Sequence, residues 1–223
     1  MSEPKISLNK LGEYLDATPA RRRRIVQDQI DPKTFIAARY SDAREEISVY
    51  LATNKLNDEQ LINAAINLRN QQHESKFIAQ DKSLSADAID DFLEIADQVG
   101  AEGYKLEKGS ATDQVSMNIS GVNISVRPDV YVKNDNNEVV GAIKLHFSKS
   151  NRLNEKSSEY IATCLRVYLE GKYDASKIDY KLCTVVDIPS GSVVNAPKAT
   201  KKRMQDITAA CEEIEARWKN TKT

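Results

Sequence analysis

The hydrophobic positions of this chain follow a helical period up to Gly100 and an alternating period after it. In the first part, apolar residues recur every three or four positions, which is the spacing of a buried stripe along a helix. Residues that commonly begin helices stand before these stretches, namely Ser7, Thr18, Asp31, Asp58 and Ser85. The pattern therefore predicts an all-helical region over residues 1–80, followed by a helix over residues 86–99.

The alternating part is clearest over residues 122–133. Apolar residues or proline stand at every even position there, while Arg127, Asp129 and Lys133 are among the odd positions. This period of two predicts a single strand, because successive side chains of a strand point to opposite faces. A turn over residues 134–137 then leads to a second strand over residues 138–147, and residues 114–119 supply a strand in front of this hairpin.

A helix over residues 153–170, a strand over residues 180–186 and a final helix over residues 200–218 complete the predicted elements. From Ser85 onward the order is therefore a helix, three strands, a helix, a strand and a helix (αβββαβα). We expect a mixed sheet flanked by helices, in the α+β or α/β class. The predicted division places a helical N-terminal region at residues 1–80 and a second domain at residues 81–223.

Composition and charge exclude several classes of protein. The 32 Lys and Arg against 33 Asp and Glu exclude a uniformly basic nucleic-acid-binding surface. Residues 121–204 alone hold 14 basic and 9 acidic groups, so a local cationic site with a net charge of +5 stays open. Two histidines exclude a histidine-rich metal site, and the three cysteines form no CxxC pair. Together with the absence of a signal-peptide or membrane-spanning pattern, they predict a cytoplasmic protein.

The predicted hairpin places a carboxylate beside an ammonium group. A turn centred between Asp135 and Asn136 pairs positions whose numbers sum to 271, so Lys144 faces Arg127 and lies one diagonal step from Asp129. The three side chains then share the polar face of the two strands. A cross-strand ion pair on a solvated face is the simplest interpretation, and a functional site is the alternative.

The residues Pro128-Asp129 and, after an interval of twelve residues, Ala142-Ile143-Lys144 resemble the signature of the PD-(D/E)XK nuclease superfamily. Restriction endonucleases and RecB-type nucleases belong to this superfamily, whose core has the element order predicted above from Ser85 onward. The resemblance leaves residues 1–80 outside it. It implies a restriction-endonuclease-like fold and a metal-dependent nuclease that hydrolyses phosphodiester bonds, as a DNA endonuclease.

The resemblance also implies the roles of individual residues. Asp129 would hold the metal ion, Mg²⁺ or Mn²⁺, Lys144 would orient the attacking water, and Ile143 would offer its backbone carbonyl to the metal. The chain departs from the family at Ala142, where the family has Asp or Glu. In some restriction enzymes of the superfamily this carboxylate has moved to the following helix, which predicts Glu159 as the second metal ligand.

Further residues follow from the same resemblance. Many members add an acidic residue from the first core helix, and Glu94 is our choice for it. Basic residues and a histidine near the site in sequence suit contacts with the phosphate backbone. They are Arg127, His146, Lys149, Arg152, Lys156, Lys201 and Lys202. The implied partner is DNA, with RNA as an alternative, and nucleases of this type that cut both strands are often homodimers.

Two other functions stay open at the level of sequence. The first is a degenerate relative that keeps the nuclease fold and binds nucleic acid or a protein partner without cutting. The second is a helical adaptor that acts through residues 1–80. Whether Glu159 reaches the face of Asp129 and Lys144 separates an active nuclease from a degenerate one. An adaptor would carry no concave charged pocket on that face.

Overall fold

The computed structural model describes residues 3–32, 39–72, 75–110 and 115–220 of the chain. The described residues form a mixed α+β fold with two β-sheets. Their helices are α1 (Leu8–Asp16), α2 (Pro19–Ile30), α3 (Ser41–Ala52), α4 (Asp58–Asn70), α5 (Lys76–Leu93), α6 (Glu155–Lys172) and α7 (Lys201–Asn220). Their strands are β1 (Lys5–Ser7), β2 (Lys105–Lys108), β3 (Ser116–Ile119), β4 (Val122–Ser125), β5 (Val130–Lys133), β6 (Val139–His146), β7 (Cys183–Asp187) and β8 (Ser192–Asn195).

The larger sheet has five strands in the order β2, β5, β6, β7, β8. Its central strand β6 pairs antiparallel with β5 and parallel with β7, and all of β6 after Val139 is buried. The parallel pair needs a crossover connection, which α6 provides. β6, α6, β7 and α7 lie within three residues of their predicted positions. The edge strands β2 and β8 were not predicted, because only Leu106 among their residues is buried and the alternating signal is weak.

The single strand predicted over residues 122–133 is wrong, because the chain changes sheets in the middle of it. β4 pairs with β1 and β3 in a separate three-stranded sheet, and β5 belongs to the larger sheet. Between them, Arg127 has a left-handed backbone (φ 37°) and Pro128 has no N–H for a strand ladder. β4 packs into one hydrophobic core through Ile124, whereas β5 contributes Tyr131 to that core and Val132 to the other.

The register of the hairpin also differs from the predicted one. Val130 faces Ile143 and Tyr131 faces Ala142, so the paired numbers sum to 273 rather than 271. A bulge between Val132 and Lys133 accounts for one residue of this shift. The turn accounts for the other, because Asn137 adopts a left-handed backbone (φ 62°), as in three-residue hairpin loops. A shift of two keeps every side chain on its face, and Asp129, one residue before β5, lies beside Lys144, with 3.0 Å between the carboxylate and the ammonium.

The N-terminal region is only partly as predicted. The side chains of Ser7 and Thr18 cap α1 and α2 as expected. The all-helical assignment is wrong at β1, which pairs parallel with β4. α5 begins at Lys76 rather than after Ser85, because Ser85 lies on the buried face of that helix, which runs across the predicted boundary at residue 80. The helix start predicted after Asp31 falls at residues 33–38, outside the described part of the chain.

Two hydrophobic cores hold these elements together. One lies among the smaller sheet, α1, α6 and α7, with Leu11, Ile161 and Ile207 fully buried. The other lies between one face of the larger sheet and the helices α3, α4 and α5, with Ile47 and Ile89 fully buried. Each such side chain contributes about 1.5–3 kcal/mol of hydrophobic free energy. Among the described residues, none of the helices combines the length and apolar character needed to span a membrane.

Gly141 on β6 offers a test of the packing around the central strand. A Cβ atom at this position would overlap the backbone carbonyl of Leu182. We expect Gly141→Ala to lower the free energy of unfolding by about 1–3 kcal/mol, measured by urea denaturation. The control is Gly171→Ala on α6, where nothing lies within 4 Å and the change should be neutral or stabilising. Equal stabilities of the two variants would contradict this packing.

Candidate functional site

The structure brings Asp129 and Lys144 together at the start of β5. The Nζ atom of Lys144 lies 3.0 Å from Oδ2 of Asp129, and both side chains are buried. Lys144 also donates to the backbone carbonyl of Arg127 at 2.7 Å, and the N–H of Leu145 donates to Asp129 Oδ2 at 2.7 Å. Because these bonds join the bend at Arg127 to β6, the left-handed bend and the pair of charges stabilise each other.

A third charged group, Arg44 on α3, completes this cluster. Its Nη1 donates to Oδ1 of Asp129 at 2.5 Å, across 85 positions of sequence. The guanidinium lies over the ring of Phe147 at 4.8 Å, and that ring stacks on Tyr40 at 5.7 Å. Sequence reasoning missed Arg44, because only the packing of α3 against the sheet brings it to the site. Nothing in the local sequence singles it out, because three charged residues stand between the buried positions Ala43 and Ile47, namely Arg44, Glu45 and Glu46.

The charges of the cluster control each other's protonation. Burial alone would raise the pKa of Asp129, but the charges of Lys144 and Arg44 and the N–H of Leu145 bring it below its ordinary value of 3.8. Burial is also the main influence on Lys144 and lowers its pKa, with Asp129 acting in the opposite direction. The carboxylate is therefore ionised at neutral pH, and the lysine loses its proton more easily than a surface lysine does.

The cluster forms the wall of a cavity of about 380 Å³. The cavity opens between the first residues of α1, the side of α3 and the bend at Arg127. Its described charged lining residues are four basic and two acidic, a net charge of +2. They are Arg44, Lys108, Arg127, Lys144, Glu45 and Asp129. Lys108 and Glu45 form an ion pair with each other. The surface left for a ligand is therefore cationic and suits an anion.

The residues do not fit a divalent cation. Both oxygens of Asp129 already accept hydrogen bonds, and the carbonyl of Ile143 accepts the N–H of Asp129 at 3.0 Å. In residues 3–32, 39–72, 75–110 and 115–220, no three His, Cys, Asp or Glu side chains cluster as metal ligands. A single carboxylate that is already paired with two cations is a poor ligand set for Mg²⁺, which prefers several oxygen ligands.

The other predicted metal ligands lie elsewhere. The carboxylate of Glu159 binds Arg203 of α7, with Nε of the arginine at 3.0 Å from Oε2. Glu159 is not among the residues that line the cavity. The side of Ala142 from which it was expected to approach is filled by the core around α6, where Ala142 is fully buried. Glu94 is exposed at the end of α5.

Most of the residues predicted to contact nucleic acid do not line the cavity. His146 is buried, with Nδ1 at 2.6 Å from Oδ1 of Asp187, so it is not available to a phosphate group. Lys149 lies 3.3 Å from a carboxylate oxygen of Asp91. The remaining ones are exposed on other surfaces, namely Arg152, Lys156, Lys201 and Lys202. Of that set, Arg127 alone is among the described lining residues.

Comparison with known proteins provides no family for this chain. No protein-family model matches the sequence, and no curated protein matches it. The function must therefore be inferred from the site itself.

The buried cluster predicts how stability depends on pH. Because the pKa of Asp129 is lower in the folded chain than its ordinary value of 3.8, its contribution is fully present above that value and is lost as the pH falls through the folded pKa. We expect Asp129→Asn to lower the free energy of unfolding by about 3–5 kcal/mol at neutral pH, and by less in strong acid. Urea denaturation at several pH values measures this difference.

The matched control is Asp28→Asn, which breaks the exposed ion pair of Asp28 with Arg24. That change should alter the free energy of unfolding by less than about 1 kcal/mol. A loss for Asp129→Asn as small as the control's would contradict a compensated buried cluster.

Proposed function

We propose that the protein binds nucleic acid by holding the phosphate backbone in the cavity of Asp129, Lys144 and Arg44. The observation that carries this proposal is the excess of two positive charges among the described lining residues, next to a carboxylate that is already neutralised. Such a surface attracts a phosphodiester, and the buried carboxylate does not repel it because that carboxylate is already paired. DNA and RNA both carry this group, so the proposal covers both.

The geometry favours contact with the backbone rather than with bases. Arginine and lysine bind phosphate oxygens through charge-assisted hydrogen bonds. Ser7, which caps α1, and the first two residues of that helix, Leu8 and Asn9, also line the cavity. The first turn of the helix has no acidic residue to repel an anion. Contacts of this kind give affinity without sequence recognition. The proposal therefore predicts that the protein binds nucleic acid with little dependence on base sequence.

Binding without cleavage fits the site better than hydrolysis. Hydrolysis of a phosphodiester by this class of site needs a metal ion held by carboxylates. Asp129 is the one described carboxylate beside Lys144, and Glu45, the other acidic lining residue, is paired with Lys108. The proposal thus corresponds to a nuclease-like protein that binds its ligand without cutting it.

Metal-dependent cleavage of DNA is a second candidate, favoured by one observation. Asp129, the residue before β5, lies 3.0 Å from Lys144 on the neighbouring strand β6, and the resemblance to PD-(D/E)XK nucleases implies such a pair. Burial also lowers the pKa of Lys144, which helps a lysine act on a water molecule. For this candidate a second carboxylate must replace Arg44 beside Asp129.

Binding can be measured by fluorescence anisotropy with labelled duplex DNA, single-stranded DNA and RNA, each in several unrelated sequences. We expect Arg127→Gln to raise the Kd severalfold for all sequences, because it removes an exposed cation at the cavity. The plot of log Kd against log salt concentration should become shallower by about one unit of slope, because the variant binds one phosphate fewer. The control is Arg23→Gln, an exposed cation on α2 outside this cavity. Equal affinities of the two variants would argue against this site.

The two candidates are separated by incubating plasmid DNA and oligonucleotides with the protein in Mg²⁺ or Mn²⁺. The binding proposal predicts no cleavage. Cleavage that disappears in Asp129→Asn and persists in Arg23→Gln would establish the second candidate instead. Circular dichroism of each variant shows whether it is folded.

A further inference from the structure

We propose that Arg44 takes the place of a divalent cation at Asp129, so that the site binds a phosphodiester without any metal ion. This inference rests on the proposed function and specifies how the phosphate group is held. It assigns the ligand class as a phosphodiester of single negative charge and makes Arg44 the main contact.

The hydrogen bonds of Asp129 provide the first argument. Oδ1 accepts from Arg44, and Oδ2 accepts from Leu145 and lies 3.0 Å from the ammonium of Lys144. A metal ion that bound this carboxylate would have to displace one of the two cations, and it would then lie in a buried site beside the other. Like charges in a site of low dielectric repel each other strongly. The arginine therefore occupies the position that a metal would need.

The way Arg44 is held provides the second argument. Its guanidinium lies over the face of Phe147 at 4.8 Å and is tied to Asp129 at one edge. Phe147 is in turn stacked on Tyr40, the residue before α3. These contacts fix the plane of the guanidinium before any ligand binds, which reduces the entropy lost on binding. Arg44 is thus preorganised in the same way as a coordinated ion.

The donors that remain on Arg44 provide the third argument. A guanidinium has five N–H donors in a planar fork. Among the described residues, the side chain of Arg44 donates to Asp129 and to no other acceptor. The side chain is 38% exposed and lines the cavity, so its free N–H groups are accessible to a ligand. Two parallel N–H groups match two oxygens of a phosphate group.

The charge of the cluster matches one phosphodiester. Arg44 and Lys144 contribute two positive charges and Asp129 one negative charge, which leaves a net charge of +1. A phosphodiester linkage carries one negative charge and would neutralise the cluster. Binding would therefore bring neither a metal ion nor an uncompensated charge into the site.

The experiment uses the full chain with Arg44→Gln, Arg44→Lys, the double variant Arg44→Gln/Asp129→Asn and the control Arg23→Gln. Circular dichroism and thermal unfolding identify the variants that fold. The double variant is the charge-matched one, because it removes one positive and one negative charge and leaves the net charge of the cluster at +1. Arg44→Lys covers the case in which Arg44→Gln is unstable, because it keeps a cation beside Asp129. Affinity for a fluorescein-labelled DNA duplex is measured in EDTA and in Mg²⁺ at matched ionic strength. Calorimetry with Mn²⁺ tests metal binding by the protein alone.

We expect the unmodified protein to bind the duplex at least as tightly in EDTA as in Mg²⁺, which competes for the DNA phosphates, and to show no Mn²⁺ binding at Asp129. Arg44→Gln and the double variant should raise the Kd by about tenfold or more, since both remove charge-assisted hydrogen bonds to the phosphate. Arg44→Lys should fall between them and the unmodified protein, because it keeps the charge but not the planar fork. Arg23→Gln should bind like the unmodified protein.

Two results would overturn the inference while leaving the proposed function in place. One is duplex binding that requires Mg²⁺, or Mn²⁺ binding that Asp129→Asn abolishes. The other is an affinity of folded Arg44→Gln, or of the double variant, equal to that of Arg23→Gln. Failure of the unmodified protein to bind DNA or RNA in either condition would instead overturn the proposed function, and this inference with it.

Discussion

A buried carboxylate must be compensated, and the compensation of Asp129 connects the main parts of this fold. Its partners come from β6, through Lys144 and the N–H of Leu145, and from α3, through Arg44. An isolated charge in the interior is unfavourable by several kcal/mol, so the cluster holds only while all of these elements are in place. The helical layer formed by α3, α4 and α5 is thereby joined to the larger sheet by charge as well as by its hydrophobic core.

The change of sheets between β4 and β5 makes this cluster possible. A continuous strand would place Asp129 in a regular ladder, with its side chain on an open face. The left-handed backbone at Arg127 and the missing N–H of Pro128 end β4 instead and allow the chain to enter the larger sheet. Because of this bend, the backbone carbonyl of Arg127 lies outside the strand ladders, and it accepts a hydrogen bond from Lys144. A local interruption of regular structure thus creates the wall of the cavity.

The same cluster explains why the site favours an anion over a metal ion. Asp129 is paired with Lys144 and with Arg44, and Glu159 is paired with Arg203 rather than with a ligand at this site. A metal ion bound to either carboxylate would lie close to the arginine that already pairs with it, and the repulsion between the two cations opposes such binding. The charge that remains accessible in the cavity is positive. It is therefore opposite in sign to the charge of a nucleic-acid phosphate backbone, the proposed ligand.

The local sequence determined the elements whose signals are periodic or capped: α1 after Ser7, the hairpin strand β6, α6 and α7, and the shared face of Asp129 and Lys144. Prediction from the local sequence failed where contacts between distant segments decide the structure. The register depended on a bulge beside Val132. The single strand over residues 122–133 was divided because its second half, through Val132, also packs into the other core. Arg44, β1 and the partner of Glu159 were likewise invisible in the sequence, since each is set by the docking of one element on another. Alternation and capping act over a few residues, whereas the compensation of a buried charge is decided by whichever residues the tertiary structure brings within hydrogen-bonding distance.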